Sequence, residues 1–169
     1  MGPIDGRDGG APLFGRGLQQ QSIEHMERLW PVFIEQYGSK IDSMGAGKWR
    51  GGLGAWRQFE VVADEISVSG LTDRITEGPF GLLNGEPGSP TGFFVKRVED
   101  EDFHTFKEIY GTVSPTKFIN IALHRGDQIL VRVPGGGGYG DPKERDDEAL
   151  RADLIDGFVS AEGLRSYGR

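Results

Sequence analysis

The chain has 169 residues, with 26 acidic and 19 basic side chains and a net charge of −7. That length suits one domain with a core of its own, and the acidic balance makes a poor general ligand for nucleic acid or an anionic membrane. The absence of cysteine excludes disulfides, cysteine–zinc sites and thiol catalysis.

No apolar run approaches the roughly 18 residues of a membrane-spanning helix. The N-terminus lacks the basic-then-apolar pattern of a secretory signal, so the expectation is a cytoplasmic protein. Glycine is the unusual number: 28 of 169 residues, more than twice an average usage of about 7 %. There is no G-X-Y period, and ten Phe with three Trp argue against wholesale disorder. These features predict a folded, β-rich α+β chain with short elements and close backbone passages, whose core a partner completes.

Residues 1–21 read as an irregular N-terminal arm, broken by Gly9, Gly10, Pro12, Gly15 and Gly17, and expected to lie on another subunit. Residues 22–169 read as a single domain. Ser22 is a candidate cap for a short helix in which Ile23, Met26 and Leu29 share a face, ended by Pro31. Val32–Tyr37 suits a strand by propensity, although its alternation is imperfect.

A glycine cluster occupies residues 42–54. It fails the Walker spacing, because Gly47-Lys48 is followed by Trp49 and no glycine stands at position 42. It also lacks the strand–glycine–helix order of a dinucleotide site. Lys48 and Arg50 could hold an anion, or pair with the abundant carboxylates.

Residues 55–68 read as strands. Residues 78–88 read as an ordered loop, since Phe80, Leu82 and Leu83 would otherwise be exposed. Gly92–Arg97 reads as a strand, and 99–110 carries a weak helical or extended signal. Lys117–Leu123 and Ile129–Val133 read as a hairpin through Arg125-Gly126-Asp127-Gln128, with Asp127 holding the turn. That hairpin would deliver the backbone into Pro134-Gly135-Gly136-Gly137-Gly138-Tyr139-Gly140-Asp141-Pro142. Four consecutive glycines carry the largest ordering cost of any residue type, so a fold keeps them where backbone passes very close to something or adopts a conformation a Cβ forbids. Two short C-terminal helices follow, one from about Arg145 to Gly157 and one through Leu164 and Tyr167. They are expected to pack on the sheet or on a neighbour.

Catalytic residues are not legible. His25, His104 and His124 show no metal-ligand spacing, and no nucleophile elbow is present. Asp42, Arg50 and Asp141 are better placed to hold loop geometry, through carboxylate–amide and guanidinium–carboxylate bonds.

Two blocks resemble one family. The first runs from Pro31 to Tyr37 and on through Asp42–Gly54. The second comprises Gly126-Asp127, Pro134–Pro142, Arg145-Asp146 and Asp156–Ser160, and Gly81–Gly88 between them also matches. Together they resemble the C-terminal third of the hydantoinase B/oxoprolinase family, over roughly residues 22–167. Met44 is a departure, standing where a glycine is common.

The resemblance implies a small, non-autonomous subunit that completes a larger subunit's fold. It implies as partners a hydantoinase A-type ATP-binding subunit and the remaining part of the hydantoinase B-type subunit. ATP and Mg2+ then belong to a partner, a divalent metal such as zinc belongs elsewhere in the complex, and no cofactor or metal site is expected in this chain. Division into several subunits favours an ATP-dependent carboxylase acting on an acetophenone-like ketone with bicarbonate. The alternatives are ATP-dependent hydrolysis of a cyclic amide (hydantoin, 5-oxoproline or a lactam) and a non-catalytic β-rich binding module. The structural, substrate-facing or interface loops would centre on Asp42, Gly45, Gly47, Arg50, Gly51, Gly52, Gly135, Gly136, Gly137, Gly138, Tyr139 and Asp141.

Overall fold

The computed structural model describes residues 6–10 and 21–169; the rest of the expected N-terminal arm lies outside the described residues. Helix α1 (Ile23–Leu29) begins where the Ser22 hydroxyl accepts the His25 N–H at 3.3 Å. It feeds β1 (Val32–Lys40), followed by β2 (Gly54–Val61) and β3 (Glu65–Leu71). Then come β4 (Gly92–Lys96), the two-residue β5 (His104–Thr105) and α2 (Phe106–Tyr110). A reciprocal Thr105–Glu108 capping box starts α2, and Gly111 at φ 64° ends it. Strands β6 (Lys117–His124) and β7 (Gln128–Val133) precede α3 (Asp147–Ile155), whose cap is Asp146. Gly157 at φ 72° follows it, and a 3-10 turn over Gly163–Tyr167 closes the chain.

The strands form a five-stranded antiparallel sheet in the order β1-β2-β7-β4-β5 and a two-stranded sheet of β3 with β6. The expected β6–β7 hairpin is therefore absent. Both strands exist, but β6 pairs with β3, while β7 is central between β2 and β4. The connection is a corner between two sheets. Asp127 holds it from the buried side, its carboxylate accepting the His124 N–H at 2.9 Å and the Val98 N–H at 3.2 Å. Local alternation is the same for a hairpin and for a corner, so only the distant partners distinguish them.

The facing of β6 also differs from simple alternation. Opposite β3 the register slips between Val68 and Gly70, so β6 carries an extra residue, and Asn120 there takes φ 52°. The bulge turns Phe118, Ile121 and Leu123 all inward and leaves Ile119 outside, 74 % exposed.

Two cores result. One lies between the sheets, where Val61, Val95, Phe106, Leu123 and Ile129 are buried and Phe106 stacks on Phe118 at 3.9 Å between centroids. The other joins Met44, Ala46 and Leu53 of the 42–54 cluster to Leu150, Val159 and Tyr167. The C-terminal helices thus pack on the glycine cluster rather than on the sheet, and Met44 fills that core. The 78–88 loop is ordered for a different reason than its side chains suggested: Phe80 and Leu83 are both 67 % exposed, and backbone bonds hold the loop instead. Among the described residues no helix is long and apolar enough to cross a membrane.

The bulge makes a measurable contrast. Leu123→Ala, at a fully buried position, is expected to cost about 2–5 kcal/mol. Ile119→Ala, four residues earlier in the same strand, is expected to stay within about 0.5 kcal/mol. Urea midpoints of the two variants check this; equal losses would mean that β6 alternates without a bulge.

Candidate functional site

The glycine clusters of the sequence meet in one place. Segments 42–54, 78–89 and 134–140 run side by side, and residues 8–10 lie along the first of them. Gly135–Gly138 occupies the centre. A β-carbon on Gly135 would fall on the carbonyl of Ser43, one on Gly137 on that of Phe80, and one on Gly138 on that of Ala46. None of these three has a positive φ, so close approach, not a left-handed backbone, requires glycine there.

The contacts recur every third residue. Gly135 and Gly138 face segment 43–46, Gly85 and Gly88 face 135–138, and Gly78 and Gly81 face 85–88. That recurrence is that of a polyproline II helix, which makes no hydrogen bonds within itself and leaves its amides for neighbours. Successive amides here point to different segments: Gly45 N–H to Gly136 O at 2.8 Å, Gly136 N–H to Gly52 O at 2.8 Å, Gly138 N–H to Glu86 O at 2.9 Å, and Glu86 N–H to Ala46 O at 2.8 Å. Backbone polar groups buried this way are paired across the bundle rather than along a ladder.

The other singled-out residues join the same assembly. Gly47 packs against Tyr139, while Gly51 and Gly52 meet Gly136 and Gly10. Tyr139 exchanges backbone bonds with Trp49. Asp42 accepts the Ser160 N–H at 2.9 Å, tying the first segment to the C-terminal turn. Asp141 caps the short turn at Pro142–Glu144 by accepting the Lys143 N–H. The atoms crowding Gly135–Gly138 belong to this chain's own segments. Residues 8–10, expected on another subunit, likewise pack on this chain's Arg50–Gly52.

A charge cluster closes one side of the bundle. Arg145 has a side chain 2 % exposed. It donates two bonds to the Asp8 carboxylate, at 2.9 and 3.0 Å, one to Asp153 at 2.6 Å, and one to the Lys48 carbonyl at 3.2 Å. Arg50 donates to the other Asp153 oxygen at 2.8 Å, and its guanidinium lies 5.1 Å from the Phe158 ring centre. Two cations and two anions cancel, as buried charges require. Among the described residues, the Arg145 Nε is buried without a hydrogen-bond partner.

Burial pushes the Asp8 carboxyl up, but the hydrogen bond and charge of Arg145, with the charge of Arg50, outweigh it and hold Asp8 below the usual range. Burial raises the Tyr167 hydroxyl to about 12. The Arg50 side chain is paired with the Asp153 carboxylate and Lys48 lies 3.8 Å from Glu144, so both cations show the pairing that the sequence allowed.

Sequence reasoning missed Asp8, Arg145 and Asp153 as a unit, although Arg145 stood in a motif block. The available signal was Asp153, a charge between Leu150 and Leu154 on the apolar face of α3. Among the described residues no group of three or more His, Asp or Glu side chains could hold a metal ion.

Known proteins resemble this chain in sequence and in fold. The hydantoinase B/oxoprolinase profile matches residues 3–142, and the chain belongs to that family. It is 33 % identical over 172 residues to the beta chain of the caprolactamase of Pseudomonas jessenii, covering 98 % of this chain and 28 % of that one. It is 30 % identical over 165 residues to the putative B-type component of a D-/L-hydantoinase from a Pseudomonas species, covering 97 % and 26 %. The fold superposes on the crystal structure of the Pseudomonas jessenii ATP-dependent caprolactamase with a TM-score of 0.67 and 28 % identity, over 87 % of this chain and 24 % of that one. An acetone carboxylase structure gives the same TM-score at 21 % identity, over 89 % and 23 %, a likeness of fold alone. The chain spans about a quarter of the length of these two relatives.

The bundle and its clamp can each be tested. Gly137→Ala is expected to disrupt the bundle and lower the thermal midpoint severely. Gly136→Ala is expected to be milder, because its β-carbon would stand 3.0 Å from the nearest atom, Gly52 N; thermal unfolding ranks them, and equal effects would contradict close passage at Gly137. Asp8 sets a pH dependence. Its folded value is lowered, so the unfolded chain binds more protons and stability falls with acid. The contribution is whole above the unfolded carboxylate value of about 3.9 and is lost as pH drops through the lowered folded value. Asp8→Asn should flatten the change in urea midpoint between about pH 5 and pH 2 relative to the parent.

Proposed function

We propose that this chain is part of an ATP-dependent hydrolase of cyclic amides, of the hydantoin or lactam type, working as a portion of the hydantoinase B-type subunit. The observation that carries this reading is the likeness over nearly the whole chain to two proteins named for such substrates, at 33 and 30 % identity. The acetone carboxylase supports only the fold. The order of the expectations from sequence therefore reverses: ring opening of a cyclic amide comes before carboxylation of a ketone. Division into subunits, which favoured the ketone, carries no information about the reacting bond.

In this reading ATP and Mg2+ are handled by a hydantoinase A-type partner, and any divalent metal lies outside this chain. The amides of Gly45, Lys48, Trp49 and Gly51 already donate to backbone carbonyls, and that of Arg50 to Asp8. A phosphate cradle needs such amides free and converging. What the chain contributes is a rigid backbone-packed scaffold, on which the exposed loop at Phe80–Leu83 and the open sheet edges await a partner.

The test is an assay of the purified complex containing this chain. ADP release should depend on a cyclic amide, with hydantoin, 5-oxoproline and ε-caprolactam tried in turn, and should be indifferent to bicarbonate. ADP release that requires bicarbonate together with a ketone would restore carboxylation and sink this reading. The chain alone is expected to give no turnover with any of them.

A further inference from the structure

The cavity of about 460 Å³ between the sheets has an unusual wall. Five consecutive residues of β3, Ile66–Gly70, line it. Successive side chains of a strand point to opposite faces, so a wall made of every residue in turn is the strand's edge, not one of its faces. Among the described residues β3 pairs only with β6, which leaves that edge without a ladder partner. The lining is otherwise mostly apolar, with Phe59, Phe93, Ile129 and Val131, and includes Trp30, which is 48 % exposed.

Natural sheet edges are usually blunted by charge, proline or a bulge. The outer edge at β1 is blunted in this way: its register slips between Ile34 and Gln36, with Glu35 as the extra residue. β5 is only two residues long. Beyond Glu65, β3 has none of these devices. From Ile66 to Leu71 it carries no charge and no proline, and the bulge in its pair belongs to β6. A regular, uncharged edge beside an apolar trough is the geometry that accepts an added strand, with main-chain bonds to the edge and alternate side chains in the trough.

We propose that this groove receives an extended apolar segment of the polypeptide that completes the hydantoinase B-type subunit, added as a strand to β3. The identity of the occupant rests on the functional reading above, and on the chain spanning only about a quarter of two relatives that it matches almost end to end. In those relatives this domain is continuous with a much longer stretch of polypeptide. Residues 66–70 offer about 17 Å of edge, room for roughly five residues of an added strand.

Two measurements test it. In the Pseudomonas jessenii caprolactamase structure, superposed on this chain, the strand equivalent to β3 should bear an extended segment from outside the matched quarter. Solvent there, or the residues equivalent to 11–20 of this chain, would overturn the proposal. In solution, hydrogen exchange of the purified 169-residue chain should be fast at those amides of Ile66–Gly70 that do not pair with β6. A synthetic peptide copying the caprolactamase segment should slow them about tenfold or more. Slow exchange before peptide is added would show the edge already covered by this chain or a second copy, and absence of any slowing with peptide would show that no strand adds; either result overturns the inference. Neither measurement reads turnover, so failure of the cyclic-amide assay leaves this outcome distinguishable.

Discussion

The structure depends on backbone meeting backbone at a distance no side chain permits. At Gly135–Gly138 two other stretches of the chain, 42–54 and 78–89, converge, and at three of the four glycines a carbonyl sits where a β-carbon would be. The ordering cost of four glycines is large, and what offsets it is hydrogen bonding in several directions at once. A strand offers its amides to two neighbours in one plane. A segment with three residues per turn offers them around its axis, so one central run can join several segments. The second core then forms on the outside of this bundle, where Met44, Ala46 and Leu53 supply the apolar surface that the C-terminal helices cover.

The buried charges follow from the same constraint. A bundle made mainly of glycine has little side-chain surface of its own, so its flank must be closed by long side chains from elsewhere. Arg50 comes from the first segment, Arg145 from the turn after the last, Asp153 from α3 and Asp8 from the N-terminal stretch. Such a set contributes little net stability over an apolar one of equal volume, but removing one member leaves a buried charge uncompensated. Each charge of the set is balanced by one from another segment, so the pairs tie those segments together.

This arrangement also gives the family likeness a physical content. Much of the hydrogen bonding of these loops is spent within the chain, with the amides of Gly45, Lys48, Trp49 and Gly51 on its own carbonyls. Leu29, Trp30, Phe80 and Leu83 are exposed apolar side chains, and among the described residues the outer edge of β3 is open. They agree with a chain that spans about a quarter of its caprolactamase and hydantoinase relatives.

Much of the local structure was legible from residues alone. Ser22, the β-branched and aromatic runs, Gly157 and the acidic start of α3 each act within a few positions, so α1, most strands and the C-terminal helices follow from them. The glycine clusters also announced close approach. Their partners were not legible, because glycine has no side chain whose chemistry names its neighbour. The same holds for β6 and β7: alternation says which residues share a face, while pairing is decided by strands far away in the chain, and one extra residue at Asn120 reverses which face is inward. Asp8, Arg145 and Asp153 are far apart in sequence, and only the fold makes them one site. By itself, then, the sequence determined the elements, the need for close backbone contact and the family, all of which depend on short-range chemistry or extended motif identity. Tertiary structure alone decided what each glycine touches, which sheet each strand joins and which charges neutralise one another, because those depend on contacts between segments whose separation no local pattern records.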